Sequence, residues 1–197
     1  QHMVYGGAAT AKGNLAAADK MTAGLVEEIT VHAEMMRSRD PEAANMVPVS
    51  IEGGEHYCMV MTPYQARDMR TEAGTQGWME IQKAAATAEG SKNKIFRGGL
   101  GMINDCILHK HRNVIRFNDY GVGSNVEAAR ALFMGRQAAV CAYGTPNGMS
   151  MQWEEEETDF GNSVDLCSGT IIGVKKSRFN NRDFGVIAVD TAAAAAA

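Results

Sequence analysis

Apolar positions near the start of the chain recur at helical spacing: Met21, Leu25, Ile29, His32 and Met36 fall on one stripe. The spacing predicts a helix from about Leu15 to Arg37 with one buried face, on which His32 reads as a packed histidine rather than a ligand. The helix has to stop near Asp40-Pro41, because the residue before a proline is pushed out of the helical region. From Val47 to Met61 the period changes to that of a hairpin, two β-rich runs joined by Gly53-Gly54. Its expected register sets Glu52 opposite Glu55 and Val49 opposite Cys58. Thr62-Pro63-Tyr64-Gln65 then opens a helix, with a threonine cap, proline at the first helical position and glutamine placed to close a capping box.

Further along, Trp78, Ile81 and Ala85 predict a helix over Gly77 to Ala88, with Gly90 available to end it. Gly98-Gly99-Leu100-Gly101 predicts a close-packed bend into strands around Met102 to His109 and Val114 to Phe117. Ser124 and Glu127 suggest a second capping box before a short helix ending near Gly135. Ala138 to Tyr143 reads as a strand. Beyond Thr145-Pro146-Asn147-Gly148 the pattern is mostly β: Met149 to Glu155, Val164 to Lys175 and Phe184 to Asp190, the last two joined by a turn at Asn180-Asn181. The alanine tail from Ala192 is too short to hold a helix by itself.

Composition narrows the class. The 197 residues are 45% hydrophobic and 21% charged, which excludes a disordered chain. A compact domain of 21.2 kDa would expose roughly 9,000 Å² of the roughly 31,000 Å² of its unfolded chain. A net charge of −4 and a pI near 5.7 argue against binding nucleic acid by counterion release, which needs a dense basic face. No apolar run approaches the length of a membrane span, and the first fourteen residues lack the pattern of a signal peptide. Cys58, Cys106, Cys141 and Cys167 are widely spaced and mostly flanked by apolar residues, which suggests buried free thiols in a reducing compartment.

Candidate chemistry is sparse. His109 and His111 alternate along a strand, and Asp105 would share their face, so a metal-assisted enzyme built on Asp105, His109 and His111 is one alternative. Glu154-Glu155-Glu156-Glu157 with Asp159 offers oxygen ligands for a hard cation, but successive glutamates in an extended strand point to both faces and cannot all converge. Met151, Trp153 and Glu155 would share one face, and Gln152, Glu154 and Glu156 the other. Gly99-Leu100-Gly101 has Asn104 where a dinucleotide turn needs its third glycine. Lys175-Lys176-Ser177-Arg178, near Arg182, is a small basic cluster suited to a neighbour's carboxylates. The thirteen methionines read as core filling.

Several collinear runs together resemble the major capsid proteins of N-four-type podoviruses and their relatives. They include Gly13-Asn14-Leu15 with Asp19-Lys20-Met21, Tyr57 to Arg70, Trp78 to Ala85, and Ile95 to Met102. The resemblance continues through Val114 to Phe117, Ala129 to Ala138, Gly173 to Lys176, Phe179-Asn180 and Asp183 to Ile187. It implies an α+β HK-ninety-seven-like phage capsid fold, with residues 1–14 connecting, 15–148 forming the axial-domain core, and 149–197 returning as strands into the peripheral domain. It also implies a structural, non-enzymatic role with no cofactor and no metal: a subunit of the icosahedral head shell of a double-stranded DNA tailed phage.

The partners it implies are other copies, in hexameric and pentameric capsomers, with cement or other virion proteins as further candidates. Packaged DNA would be met only non-specifically, and no membrane is involved. The place would be the virion, after assembly in the host cytoplasm. A binding module for another virion protein is the second alternative. Asn118 to Gly123 is a candidate axial loop, since its two glycines allow close approach of a neighbour. The family places an N-terminal arm, an extended loop and a spine helix ahead of the point where this chain starts. The chain is therefore expected to be a C-terminal portion, or a truncated or processed form, that associates weakly or in small rings by itself.

Overall fold

The computed structural model describes residues 2–51, 53–72, 100–144 and 151–195. In chain order the elements are β1 (Met3–Tyr5), α1 (Ala23–Glu34), α2 (Met36–Arg39), β2 (Val49–Ile51), β3 (Gly54–Met61) and α3 (Pro63–Arg70). They continue with β4 (Met102–Ile103), β5 (Cys106–Lys110), β6 (Arg116–Tyr120), β7 (Val126–Met134) and β8 (Ala139–Tyr143). The last are β9 (Gln152–Thr158), β10 (Ser163–Gly169), β11 (Ile172–Lys176), β12 (Arg178–Phe179), β13 (Arg182–Asp183) and β14 (Val186–Ala192). The helix expected over Gly77 to Ala88 and the bend at Gly98-Gly99 lie outside the described residues, as does Thr145 to Ser150.

One mixed sheet, ordered β1-β14-β7-β3-β5-β4, carries the core, with β2 beside β3 and β6 beside β7. Its register aligns Ile187 with Phe133, Phe133 with Met59, and Met59 with Leu108. This row of large side chains is buried in one cluster with Leu25, Val26, Ile29 and Ala33 of α1. Methionine fills much of that cluster, with Met21, Met36, Met46, Met59, Met61 and Met69 buried, but Met3, Met35, Met102 and Met151 are exposed, so core filling accounts for only part of the methionines. A smaller cluster on the other side joins Leu15, Tyr120 and Ala128.

The first helix is shorter than its apolar stripe. Thr22 caps it by accepting the Leu25 N–H at 3.2 Å, and Lys12–Asn14 forms a separate single turn. Val26 and Ala33 complete the buried face, while His32 is only half-buried. The helix breaks at Met35, and α2 ends where Asp40 turns extended ahead of Pro41, as the steric rule requires. The helix α3 has the full capping box: Thr62 Oγ1 accepts the Gln65 N–H at 3.2 Å, and Gln65 Oε1 accepts the Thr62 N–H at 3.0 Å.

Four expectations are corrected. In the β2–β3 hairpin Val49 faces His56, Ser50 faces Glu55 and Ile51 faces Gly54, so Val49 does not face Cys58 as expected, while Glu52 lies outside the described residues. Gly53 carries the positive φ (+86°), while Gly54 already belongs to the strand. Met102 to His109 is two strands, because Asn104 and Asp105 at φ 41° and 59° fold it into a tight hairpin. The helix expected before Gly135 is instead β7, which bonds to β14 on one side and to β3 and β6 on the other. Two flanking ladders satisfy its backbone and override the helical propensity of Ala128 to Leu132, and Ser124, at φ 52°, is a turn residue. The fourth concerns the last strands. Asn180-Asn181 does turn with both φ angles positive, but it joins the short β12 and β13, while β11 pairs with β8 and β14 with β7.

Between β7 and β14, β8 pairs with β11 and β9 with β10, off the sheet, as a two-stranded ribbon. Its side chains are exposed on both faces apart from the half-buried Thr158. The chain exposes 12717 Å², well above the roughly 9,000 Å² of a compact domain of this mass, and the ribbon supplies part of the excess.

Candidate assembly surfaces

A buried charge fixes the end of the sheet away from the ribbon. Asp190 on β14 is fully buried, and it accepts Nε of Arg130 at one oxygen and Nη2 at the other, both at 2.7 Å. The Tyr120 hydroxyl donates to the same carboxylate at 2.7 Å. This bidentate geometry with a third donor satisfies a charge that would otherwise be very costly to bury. Burial first, then the bond to Asp190, pushes the Tyr120 phenol up to about 12. The bond to Asp190 holds the Arg130 guanidinium more firmly charged than usual. Sequence reading missed this group; its trace was an aspartate ending the apolar run Val186 to Val189.

Tyr120 so held launches the turn Gly121–Ser124. Gly121 has φ +81°, and a Cβ there would lie 2.8 Å from the Leu15 carbonyl oxygen, so glycine is required. The close approach is made by this chain's own backbone. Val122 at the tip is 87% exposed, and Lys12 pairs with Asp119 beside it. The segment Asn118 to Gly123 is thus the end of a strand and a hairpin turn into β7.

The ribbon is the other distinctive surface. On one face of β9–β10 lie Trp153, Leu166 and Val164 with Glu155 and Glu157; on the other lie Glu154, Glu156, Asp165 and Cys167. Thus the glutamates do alternate between faces and do not converge. At the tip Asp159, Phe160 and Gly161 all have positive φ, and Phe160 is fully exposed. A two-stranded ribbon with no packed face is at best marginally stable alone.

At the ribbon's root, Arg182 on β13 pairs with Asp40 and with Glu42, the latter at 2.6 Å. Lys176 pairs with Asp183 at 2.6 Å and Arg178 with the same carboxylate at 3.5 Å. These pairs border a crevice of about 600 Å³ that also holds Phe179 and Phe184. The Glu42 N–H and the Arg182 guanidinium hold the Asp40 carboxyl below the usual range, and Lys176 does the same for Asp183. Three members of the expected basic cluster therefore pair within the chain.

The metal candidates do not come together. Asp105 sits in the β4–β5 turn with His56 at 3.8 Å, whereas His109 and His111 lie at the far end of β5, exposed. His111 accepts the Asn113 N–H at Nδ1. Among the described residues no group of three histidine, cysteine, aspartate or glutamate side chains could hold a metal. Leu100 is buried in the core, and β4 follows it rather than a helix. The thiols divide: Cys106 is buried and Cys58 half-buried, but Cys141 and Cys167 are exposed on the ribbon, because apolar neighbours in a two-stranded ribbon have no core to enter.

A sequence profile described as "Phage capsid protein" matches residues 1–195. The chain belongs to that family. A solved structure of the capsid of Ralstonia phage GP4 is 57% identical over 98% of this chain and 53% of its own, with a TM-score of 0.79. The cyanophage Pam1 capsid asymmetric unit, 22% identical over 98% of this chain and 54% of its own (TM-score 0.74), shares the fold. The major capsid protein of Pseudomonas phage KPP25 is 31% identical over 53% of this chain and 30% of its own. The chain thus spans about half the length, or less, of these relatives. Its fold is the α+β HK-ninety-seven-like capsid fold that was expected, reached here by way of an exposed ribbon and a single buried sheet.

Proposed function

We propose that this chain is part of the major capsid protein of a double-stranded DNA tailed phage, forming hexameric and pentameric capsomers of an icosahedral head shell. The observation that carries the reading is the 57% identity to the Ralstonia phage GP4 capsid over nearly the whole chain. The surfaces suit it: a rigid sheet and an arm whose apolar side chains are uncovered in a single copy. A shell subunit needs extensive contact with several neighbours and no pocket of strongly perturbed catalytic groups.

In this reading the main sheet is the axial body. The boundary expected at 148 lies outside the described residues; in this reading β8 to β11 form the peripheral reach, with β14 returning to the axial sheet. The turn Gly121–Ser124, at the opposite end, would then face the capsomer axis. Assembly would take place in the host cytoplasm and end in the virion, without catalysis. Electron microscopy of the full-length protein expressed in bacteria tests this: capsomer rings or closed shells are expected, and a protein that stays monomeric at high concentration would refute it.

A further inference from the structure

The charge of the molecule is unevenly placed. From Met151 to Gly169 there are six carboxylates and no lysine or arginine, so the ribbon's outer half carries a charge of −6 against −4 for the whole chain. The opposite sign collects around the ribbon's root. Arg37, Arg39, Arg136 and Lys175 are exposed, and their side chains make no ion pair among the described residues. Backbone bonds put the first and third of them around one segment: the Arg37 N–H donates to the Asn45 side chain and the Arg136 N–H to the Val47 carbonyl. Met35, 55% exposed, precedes the turn that carries Arg37 and Arg39, and Val47, whose carbonyl accepts the Arg136 N–H, is 46% exposed.

We propose that the outer half of the ribbon from one copy docks on this basic collar of a second copy. Trp153, Val164 and Leu166 would cover Met35 and Val47, while Glu155 and Glu157 meet Arg37 and Arg39. The inference rests on the reading that copies of this chain assemble, and adds which surfaces meet.

Three observations choose the occupant. First, each surface sets exposed apolar side chains beside charge, and the charges are opposite. Second, the ribbon does not reach its own collar. The paired residues of β8 and β11 hold the outer half about 16 Å from the root, and folding back would break all five of their register pairs. Third, a tip and a root on the same subunit form a heterologous contact, the kind that builds a ring when the rotation between copies closes.

The test uses particles assembled from the full-length protein. In a Cys141→Ser, Cys167→Ser background, Ser168→Cys places a thiol on the docking face opposite Trp153, and Arg39→Cys places one on the collar. Mild oxidation should give disulfide-linked ladders of capsid chains only when both are present. In parallel, Glu155→Lys with Glu157→Lys, or Arg37→Glu with Arg39→Glu, should each lower the assembled fraction about tenfold, and combining all four should bring it back to within about threefold of wild type.

A disulfide confined to one chain would show the ribbon folding onto its own subunit and overturn the proposal. So would linkage only to a protein of different mass, or particles that assemble normally with no ladder. Four-site variants that keep the wild-type melting midpoint yet do not assemble would also overturn it. If the wild-type protein forms no particles at all, the shell reading itself fails and takes this contact with it.

Discussion

Gln65 shows how much one polar side chain can hold. Besides closing the α3 capping box it is fully buried, and its amide nitrogen donates to the Ala129 carbonyl at 3.0 Å and to Thr191 Oγ1 at 2.8 Å. Every polar atom of the side chain is engaged, so Gln65→Glu would replace a donor by an acceptor facing a carbonyl and bury an unpaired charge. A loss of about 3 kcal/mol in denaturant unfolding is expected; an unchanged midpoint would mean the amide is not held this way. Titrating groups act in the same core. Burial pushes the Cys106 thiol up from 9.0 to about 12 and the Tyr57 phenol up from 10.0 to about 12. The unfolded chain therefore loses these protons first as pH rises, and stability should fall between pH 9 and 12 while being indifferent to these groups below pH 8. Thiol labelling at pH 8 should reach Cys141 and Cys167 quickly and Cys106 only on unfolding, and rapid modification of Cys106 in the folded protein would contradict its placement.

At the scale of elements, local signals were legible and partner choice was not. Thr62, Pro63 and Gln65 specify a helix start through bonds within four residues, so sequence alone reveals it. Asn180-Asn181 likewise announces a turn, because both residues tolerate positive φ, yet nothing local says which strands lie beyond it. The segment Val126 to Met134 is the clearest case: its alanines, arginine and leucine favour a helix, and only the ladders to β3, β6 and β14 make it a strand. The metal candidates failed for a related reason, since a tight turn at Asn104-Asp105 took Asp105 off the face of His109. The hairpin register slipped because Gly53-Gly54 offers two places for one loop. Gly53→Val should thus cost about 1–3 kcal/mol by forcing a β-branched residue to positive φ. Gly54→Ala would meet only the movable ring of His56, at 2.6 Å; equal thermal shifts from the two substitutions would reject the assigned turn.

For the whole molecule, the question is what holds the ribbon to the body. Hydrophobic burial fixes the sheet, but the root is joined by the surface pairs of Arg182 with Asp40 and Glu42 and of Lys176 and Arg178 with Asp183. Exposed pairs add little to global stability, yet a network at a junction can fix an angle without raising the melting temperature. Arg182→Ala is accordingly expected to leave the thermal midpoint nearly unchanged while cleavage by a protease within 177–185 rises several-fold. The sign of the pH effect follows from the lowered pKa values of Asp40 and Asp183. Their contribution is complete above the ordinary aspartate value of 3.8 and is lost as pH falls through the lower folded values. Protection of the root should be constant from pH 7 to pH 5, fail below about pH 4, and weaken in 1 M salt, where screening shortens to about 3 Å. Hydrogen exchange at Ser177 and Phe184, whose N–H groups bond across this junction, reads the same opening. Exchange there that ignores acid, salt and the loss of Arg182 would show that the ion pairs do not hold the arm, and that its direction is set by the backbone alone.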